Sequence, residues 1–323
     1  MEPKPSLREQ VRRDDAFREG HRLCPGCLEA TALHAIGRAS DNGRKTVIAL
    51  GTFCGEAGTL HFPDVVAWGR GAEPPERLEK TVGVIQAPSE AAPSVAEGIR
   101  AAADALAELG AWAGPPPNVV AITGDVGAVC GGLEALLHTL HRGRAVATFV
   151  LLHEVYGASH FPVPATSLSV GTDPVDHVGL AITAGASLVA QVSPSWPALF
   201  AEIAQAALAC PESSVVFVPA PCLSGWRIDE GQAGSLARLQ CETGIAPGFR
   251  KRRGEKGELL NLPPIGKRPP VVEFLARQQR FEHLARWVDG KSVVVPGREA
   301  EVAALQAFAD RNVARLEALA ARP

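Results

Sequence analysis

Apolar residues gather along the chain in short unbroken blocks, each followed by a longer stretch in which they recur at helical spacing. The blocks at 46–50, 119–123, 146–152, 188–192 and 214–219 are rich in β-branched residues and predict buried strands. Helices are expected over 29–38, 89–109, 131–141, 176–184 and 196–209, where the period changes. Pro115, Pro116 and Pro117 close the second of these, because proline cannot continue the hydrogen-bond ladder. Strands that are apolar on both faces and alternate with helices predict an α/β fold built on a doubly wound parallel sheet.

Such sheets hold ligands at the carboxyl ends of their strands. Two predicted loops leave carboxyl ends, at 124–127 and 153–166, and a third, at 51–58, follows the first strand. Residues 68–79 mix Gly, Pro and charge and read as a surface loop. Residues 249–270 are basic, Gly/Pro-rich and expected to be irregular; 271–288 and 299–321 read as helices of a tail that docks on the core or on a partner. The chain therefore divides into an N-terminal arm (1–20), an α/β domain (21–248) and a C-terminal extension (249–323). No repeat of fixed period is visible.

Charge and cysteine content narrow the function classes. A net charge of −3 over 323 residues supplies no basic field, so neither nucleic acid nor an acidic membrane surface is an expected partner. The polar start lacks a secretory apolar stretch, and charges or Gly/Pro clusters interrupt every apolar run, which makes the cytoplasm the expected location. There, seven cysteines are better read as thiols or metal ligands than as disulfides.

The sharpest local signal is Cys24-Pro25-Gly26-Cys27, two thiols on a tight turn whose glycine lets the backbone fold back toward sulfur. Cys54 and Cys222 lie in loop-like settings after strands, whereas Cys130, Cys210 and Cys241 fall in or beside helical segments, as small buried hydrophobes do. Four thiolates suit a [4Fe–4S] cluster or a structural zinc equally well on chemistry alone. Gly124-Asp125-Val126-Gly127 follows a strand; its carboxylate is placed to hold a divalent cation against a diphosphate, or simply to cap a helix. A serine hydrolase is not supported: there is no Gly-x-Ser-x-Gly elbow, and Ser159 and His160 are adjacent in a loop.

Taken in order, these segments resemble the thiamine-diphosphate-binding β subunits of the pyruvate-type 2-oxoacid:ferredoxin oxidoreductases. Gly20 to Cys27 is similar to the family's opening cluster motif, 47–55 to the strand and loop of its third cysteine, and Ala220-Pro221-Cys222 with Gly225-Trp226 to the segment of its fourth. Gly124-Asp125, with His153-Glu154-Val155-Tyr156 downstream, resembles the thiamine diphosphate and magnesium segment. Glu242 to Ile245, and 271–284 with its Arg-Phe-x-His-Leu ending, resemble late segments of the family.

The resemblance implies a [4Fe–4S] cluster on Cys24, Cys27, Cys54 and Cys222, and Mg²⁺ on Asp125 with a main-chain oxygen near Val155. It implies a coenzyme pocket formed by Gly124, Asp125, Val126, Gly127, His153, Val155 and Tyr156. A partner α subunit would supply the activating glutamate, and γ and δ (ferredoxin-like) subunits would complete the complex. The implied activity is oxidative decarboxylation of a 2-oxoacid, such as pyruvate, to acyl-CoA and CO₂, with coenzyme A as acyl acceptor and electrons passed to ferredoxin. Three departures fall on the coenzyme segment. Val126 stands in place of the family's second glycine, His153 in place of an oxygen-bearing metal ligand, and Ala158-Ser159 in place of Asn-Thr. They motivate an alternative expectation: a degenerate, non-catalytic paralogue that keeps the cluster as an electron relay or assembly subunit.

Overall fold

The computed structural model describes residues 8–9, 15–17, 21–51, 53–59, 82–88, 90–112, 114–156, 161–162 and 164–323. The expected surface loop at 68–79 and the replacements at Ala158 and Ser159 lie outside these residues, as does His160.

Strands β1 (Thr46–Leu50), β2 (Val82–Gln86), β3 (Asn118–Gly124), β4 (Ala147–Leu152), β7 (Leu188–Gln191) and β8 (Ser214–Pro219) run parallel in one sheet. β9 (Gly248–Arg252) and β10 (Glu258–Leu260) add an antiparallel edge, giving the order β10-β9-β7-β8-β4-β3-β1-β2. The alternation within β4 explains why the centre is buried on both sides. Phe149 and Leu151 point into one core with Ile48, Ile122 and Val216, and Val150 and Leu152 into another with Val215 and Phe217.

Helices α1 (Leu28–Ala39) and α6 (Pro197–Leu208) cover the first face, through Leu33, Ile36, Phe200 and Ile203. The second face is covered by α4 (Leu133–Arg142), α5 (His177–Thr183) and the long C-terminal helix α10 (Glu299–Ala321), through Leu136, Leu140, Val178 and Leu316. Helix α3 (Ala92–Glu108) packs small residues, Ala92 and Ala96, against Ala49 and Ala121. The doubly wound α/β sheet predicted from sequence is the observed architecture.

Three expectations fail. Residues 51–58 are not all loop: Cys54–Thr59 form α2, whose turn is closed by Thr59 Oγ1 donating to the Gly55 carbonyl at 2.5 Å. The basic segment after Phe249 is not irregular, because β9 pairs with both β7 and β10. Arg250 is neutralised by Glu202 at 2.8 Å and by Glu258, and Lys251 Nζ donates to the Glu255 carbonyl at 2.6 Å. A charged strand is stable beside the sheet edge when its charges find partners there. Residues 271–288 break into α9 (Val271–Leu275), a 3₁₀ turn (Gln279–Phe281) and strand β11 (Ala285–Val288), which pairs with β12 (Lys291–Val294). Val271, Phe274, Phe281 and Leu284 still reach one core, with Trp226 and Leu305. Their helix-like spacing is met by a chain that turns twice. Among the described residues no helix is long and apolar enough to cross a membrane.

Candidate functional site

Every expected site residue lies over the carboxyl edge of the parallel strands. Cys24 and Cys27 flank a turn before α1, in which Cys27 N–H donates to the Cys24 carbonyl at 3.1 Å. Gly26 adopts φ +75, and a Cβ there would fall 2.4 Å from the Glu230 carbonyl oxygen, so the turn requires glycine on both counts. Cys54 opens α2, and Cys222 caps the short helix α7 (Leu223–Trp226), with Gly225 N–H donating to its Sγ at 3.3 Å.

The thiols come from three segments far apart in sequence, yet as thiolates they would repel one another, Cys54 acting with Cys222 and Cys24, Cys222 with Cys24, and Cys27 with Cys24. Burial, followed by the neighbouring Glu29 carboxylate, pushes the Cys27 thiol up to about 12 and that of Cys54 to about 11. Burial also raises Cys222. As bare thiols Cys27, Cys54 and Cys222 are held in the protonated form; a metal centre could take the place of those protons. Among the described residues no three His, Cys, Asp or Glu side chains stand close enough to share one ion. A single tetrahedral ion needs that closeness, whereas a cubane cluster spreads its thiolates farther apart.

Asp125 is wholly buried at the end of β3 and caps the π-helical turn Val126–Cys130. Its Oδ1 accepts from Val126 N–H at 3.0 Å, and its Oδ2 from Glu154 N–H and Thr166 Oγ1, each at 2.8 Å. His153 Nδ1 stands 2.9 Å from Oδ1, while its Nε2 is 3.0 Å from Glu29 Oε1. These two are ion-pair contacts rather than well-aligned hydrogen bonds. The imidazole is 3% exposed and fits closely under β3, since a Cβ on Gly124 would meet His153 Cε1 at 2.9 Å. Burial works against its positive charge, but Asp125 and then Glu29 outweigh it and hold the pKa well above the ordinary histidine range.

A carboxylate offers about four lone-pair positions, and Asp125 has four neighbours on its two oxygens. In this arrangement the residues do not fit a hard divalent cation, which needs several free oxygen ligands. No step through Mg²⁺ is assigned to them.

Val155, wholly buried, begins the two-residue strand β5 (Val155–Tyr156), which pairs with β6 (Phe161–Pro162). Glu154 adopts φ +55 and turns its side chain inward to Arg280, 2.9 Å away, and to Gln240 Nε2, 2.6 Å away. Trp226 Nε1 donates to the His153 carbonyl at 2.8 Å and ties the Cys222 segment to this loop.

Sequence reasoning missed several of these residues. Glu29 reads as an ordinary first-turn charge, yet it is 2% exposed and has one oxygen, Oε2, without a partner. Nothing local marks Thr166, Gln240 or Arg280, which reach the site from later segments. Cys210 and Cys241 are buried as expected of small hydrophobes, while Cys130 is half-buried and accepts from Ala165 N–H at 3.3 Å.

The fold thus defines a doubly wound α/β protein with a cysteine-rich, charge-paired site on its carboxyl edge. No family model matches the chain. The pyruvate synthase subunit PorB of Methanocaldococcus jannaschii is 30% identical over 291 residues, covering 85% of this chain and 92% of that protein. PorB of Thermotoga maritima is 28% identical over 330 residues (97% and 94%), and the ketoisovalerate oxidoreductase subunit VorB of Pyrococcus abyssi 26% over 301 residues (84% and 87%). A 2-oxoglutarate:ferredoxin oxidoreductase structure from Magnetococcus marinus, with 2-oxoglutarate, coenzyme A and succinyl-CoA bound, matches at 17% identity with a TM-score of 0.49, covering 69% of this chain and 79% of that one. The chain belongs to the β-subunit family of the pyruvate-type 2-oxoacid:ferredoxin oxidoreductases.

Proposed function

We propose that this chain is the cluster-bearing β-type subunit of an oxidoreductase complex that converts a 2-oxoacid such as pyruvate, with coenzyme A, to acyl-CoA and CO₂. Its partners are an α subunit, γ and δ (ferredoxin-like) subunits, and ferredoxin as electron acceptor. The observation that carries the reading is the gathering of Cys24, Cys27, Cys54 and Cys222 from three separate segments at one edge of the sheet. A [4Fe–4S] cluster bound to these thiolates supplies one-electron transfer toward ferredoxin. The chain's own residues shape the place for it. Gly26 keeps the Cys24–Cys27 turn tight, Gly225 N–H directs a donor at the Cys222 sulfur, and Trp226 fixes that segment to the loop after β4.

Two readings of the coenzyme follow. The resemblance of Gly124-Asp125 and of 153–156 to the family's coenzyme segment supports thiamine diphosphate and Mg²⁺ bound at the loops after β3 and β4. The closed set of partners around Asp125 supports the other: a subunit that relays electrons, or assembles the complex, without a diphosphate site of its own.

The deciding experiment measures iron, acid-labile sulfide and thiamine diphosphate in the complex purified anaerobically with its partner subunits. About one coenzyme per β chain, with 2-oxoacid-dependent reduction of ferredoxin, establishes the catalytic reading. Iron without coenzyme establishes the relay, and absence of iron defeats both.

A further inference from the structure

Arg280, in the 3₁₀ turn after α9, is a buried cation from the C-terminal extension, with a side chain only 9% exposed. Its guanidinium lies 3.8 Å from the Trp226 ring and 4.6 Å from that of Phe281. Nη1 donates to Glu154 Oε2 at 2.9 Å and Nε to Gln278 Oε1 at 2.9 Å. Among the described residues Nη2 is buried without a partner. Burying a guanidinium is costly, and leaving one of its nitrogens unpaired adds to the cost. Glu154 is a weak reason for such an arrangement, because that carboxylate also accepts from Gln240 Nε2 at 2.6 Å.

The other side of Trp226 supplies a reason. Trp226 ends the short helix that Cys222 caps, and its main-chain N–H donates to the Cys222 carbonyl at 2.9 Å. The indole therefore joins a fixed positive charge to the segment of one thiol of the quartet, and Arg280 feels the charge of Cys222. We propose that Arg280 is a positioning residue that tunes the cluster held in part by Cys222, its fixed charge behind Trp226 favouring the reduced form. The inference rests on the cluster reading given above. One-electron reduction takes [4Fe–4S]²⁺ to [4Fe–4S]¹⁺ and adds a unit of negative charge, which a nearby cation stabilises strongly where water is excluded. Glu154, on the same network, acts with the opposite sign.

The test is an anaerobic redox titration of the complete complex, with dithionite as electron donor and mediators present. The reduced cluster is followed by electron paramagnetic resonance, and iron is counted in each sample. Arg280→Met should lower the equilibrium constant for reduction by about tenfold, equivalent to about 59 mV for a one-electron couple. Arg280→Lys should restore most of that loss. Glu154→Gln, with Arg280 intact, should shift the potential upward, and it carries the test alone if Arg280→Met does not assemble. An unchanged or lowered potential in Glu154→Gln, or an unchanged one in an iron-replete Arg280→Met, overturns the role of Arg280 and leaves the cluster reading standing. Native complex without iron or a cluster signal overturns both.

Discussion

The two sides of the carboxyl edge meet their need for positive charge in opposite ways. On the cysteine side, three of the thiols are pushed upward by burial, and among the described residues the sulfur of Cys222 accepts a hydrogen bond from a backbone N–H. The positive charge of His153 reaches Cys54 and Cys222 but does not offset their burial, so the proposed cluster would supply the rest. On the Asp125 side the protein supplies the charge itself: His153 stands between Asp125 and Glu29, and backbone and hydroxyl donors take the remaining lone pairs of Asp125. Within one family frame, then, one side offers the thiols for the proposed cluster and the other is closed by an internal salt bridge. Histidine suits the change because its two ring nitrogens face opposite ways and reach a carboxylate each.

Breaking the cysteine side should have the largest effect. Cys222→Ser or Cys27→Ser is expected to abolish iron retention in anaerobically purified complex, whereas Cys241→Ser, at a buried thiol bonded to Gly248 N–H, should leave iron unchanged. Iron retained at native level in both ligand variants would break the comparison at its root. The Asp125 side should answer in stability. Asp125→Asn removes a charge that His153 needs and costs about 3 kcal/mol, the scale for breaking a buried ion pair from one side, measurable by denaturant unfolding. A loss below about 1 kcal/mol, the scale of an exposed pair, would mean that the carboxylate is not the keystone of that loop.

The comparison also predicts how to reopen the closed side. Val126→Gly with His153→Asn removes the internal cation and bares the backbone after Asp125. Binding of thiamine diphosphate by the complex should then strengthen about tenfold in the presence of Mg²⁺, and isothermal titration calorimetry with and without the metal reads it directly. Equal Mg²⁺-dependent binding by the native complex would mean that the His153 pairing yields to the coenzyme without mutation.

How much of this was legible beforehand differs between the same two sides. The sheet could be read because β4 and β8 are apolar on both faces, a pattern that only a buried central strand satisfies. The cysteines could be read because a Cys-x-x-Cys turn carries its meaning locally. The pairing of His153 with Glu29 could not, since the two are joined only when α1 and the loop after β4 meet above the sheet. By its sequence Glu29 has only the look of a helix-start charge, and His153 is expected to line the coenzyme pocket in place of a metal ligand, not to pair with a buried carboxylate on each side. Residues 271–288 misled for the reverse reason: apolar residues at helix-like spacing serve equally well a chain that turns, so long as Phe274, Phe281 and Leu284 reach one core.

The smallest effect sharpens the contrast by means of a second histidine on the same edge. His177 lines a cavity of about 380 Å³ beside Gln191 and Gln240, with its ring 4.4 Å from that of Phe217. Among the described residues no carboxylate touches its ring nitrogens: Nε2 lies 2.7 Å from Gln191 Oε1 and Nδ1 3.2 Å from the Val175 carbonyl. Burial accordingly lowers its pKa, opposite to His153. Because the folded-state pKa lies below the unfolded value of 6.5, the unfolded chain binds this proton first as the solution is acidified. Stability linked to His177 is therefore present above pH 6.5 and declines as the pH falls from there toward the folded-state pKa. His177→Asn should flatten that decline by an amount of order 1 kcal/mol in unfolding experiments between neutrality and about pH 5. An unchanged acid slope would mean that the cavity already accommodates the charged imidazole, and the two histidines would then differ in partners but not in the charge they carry.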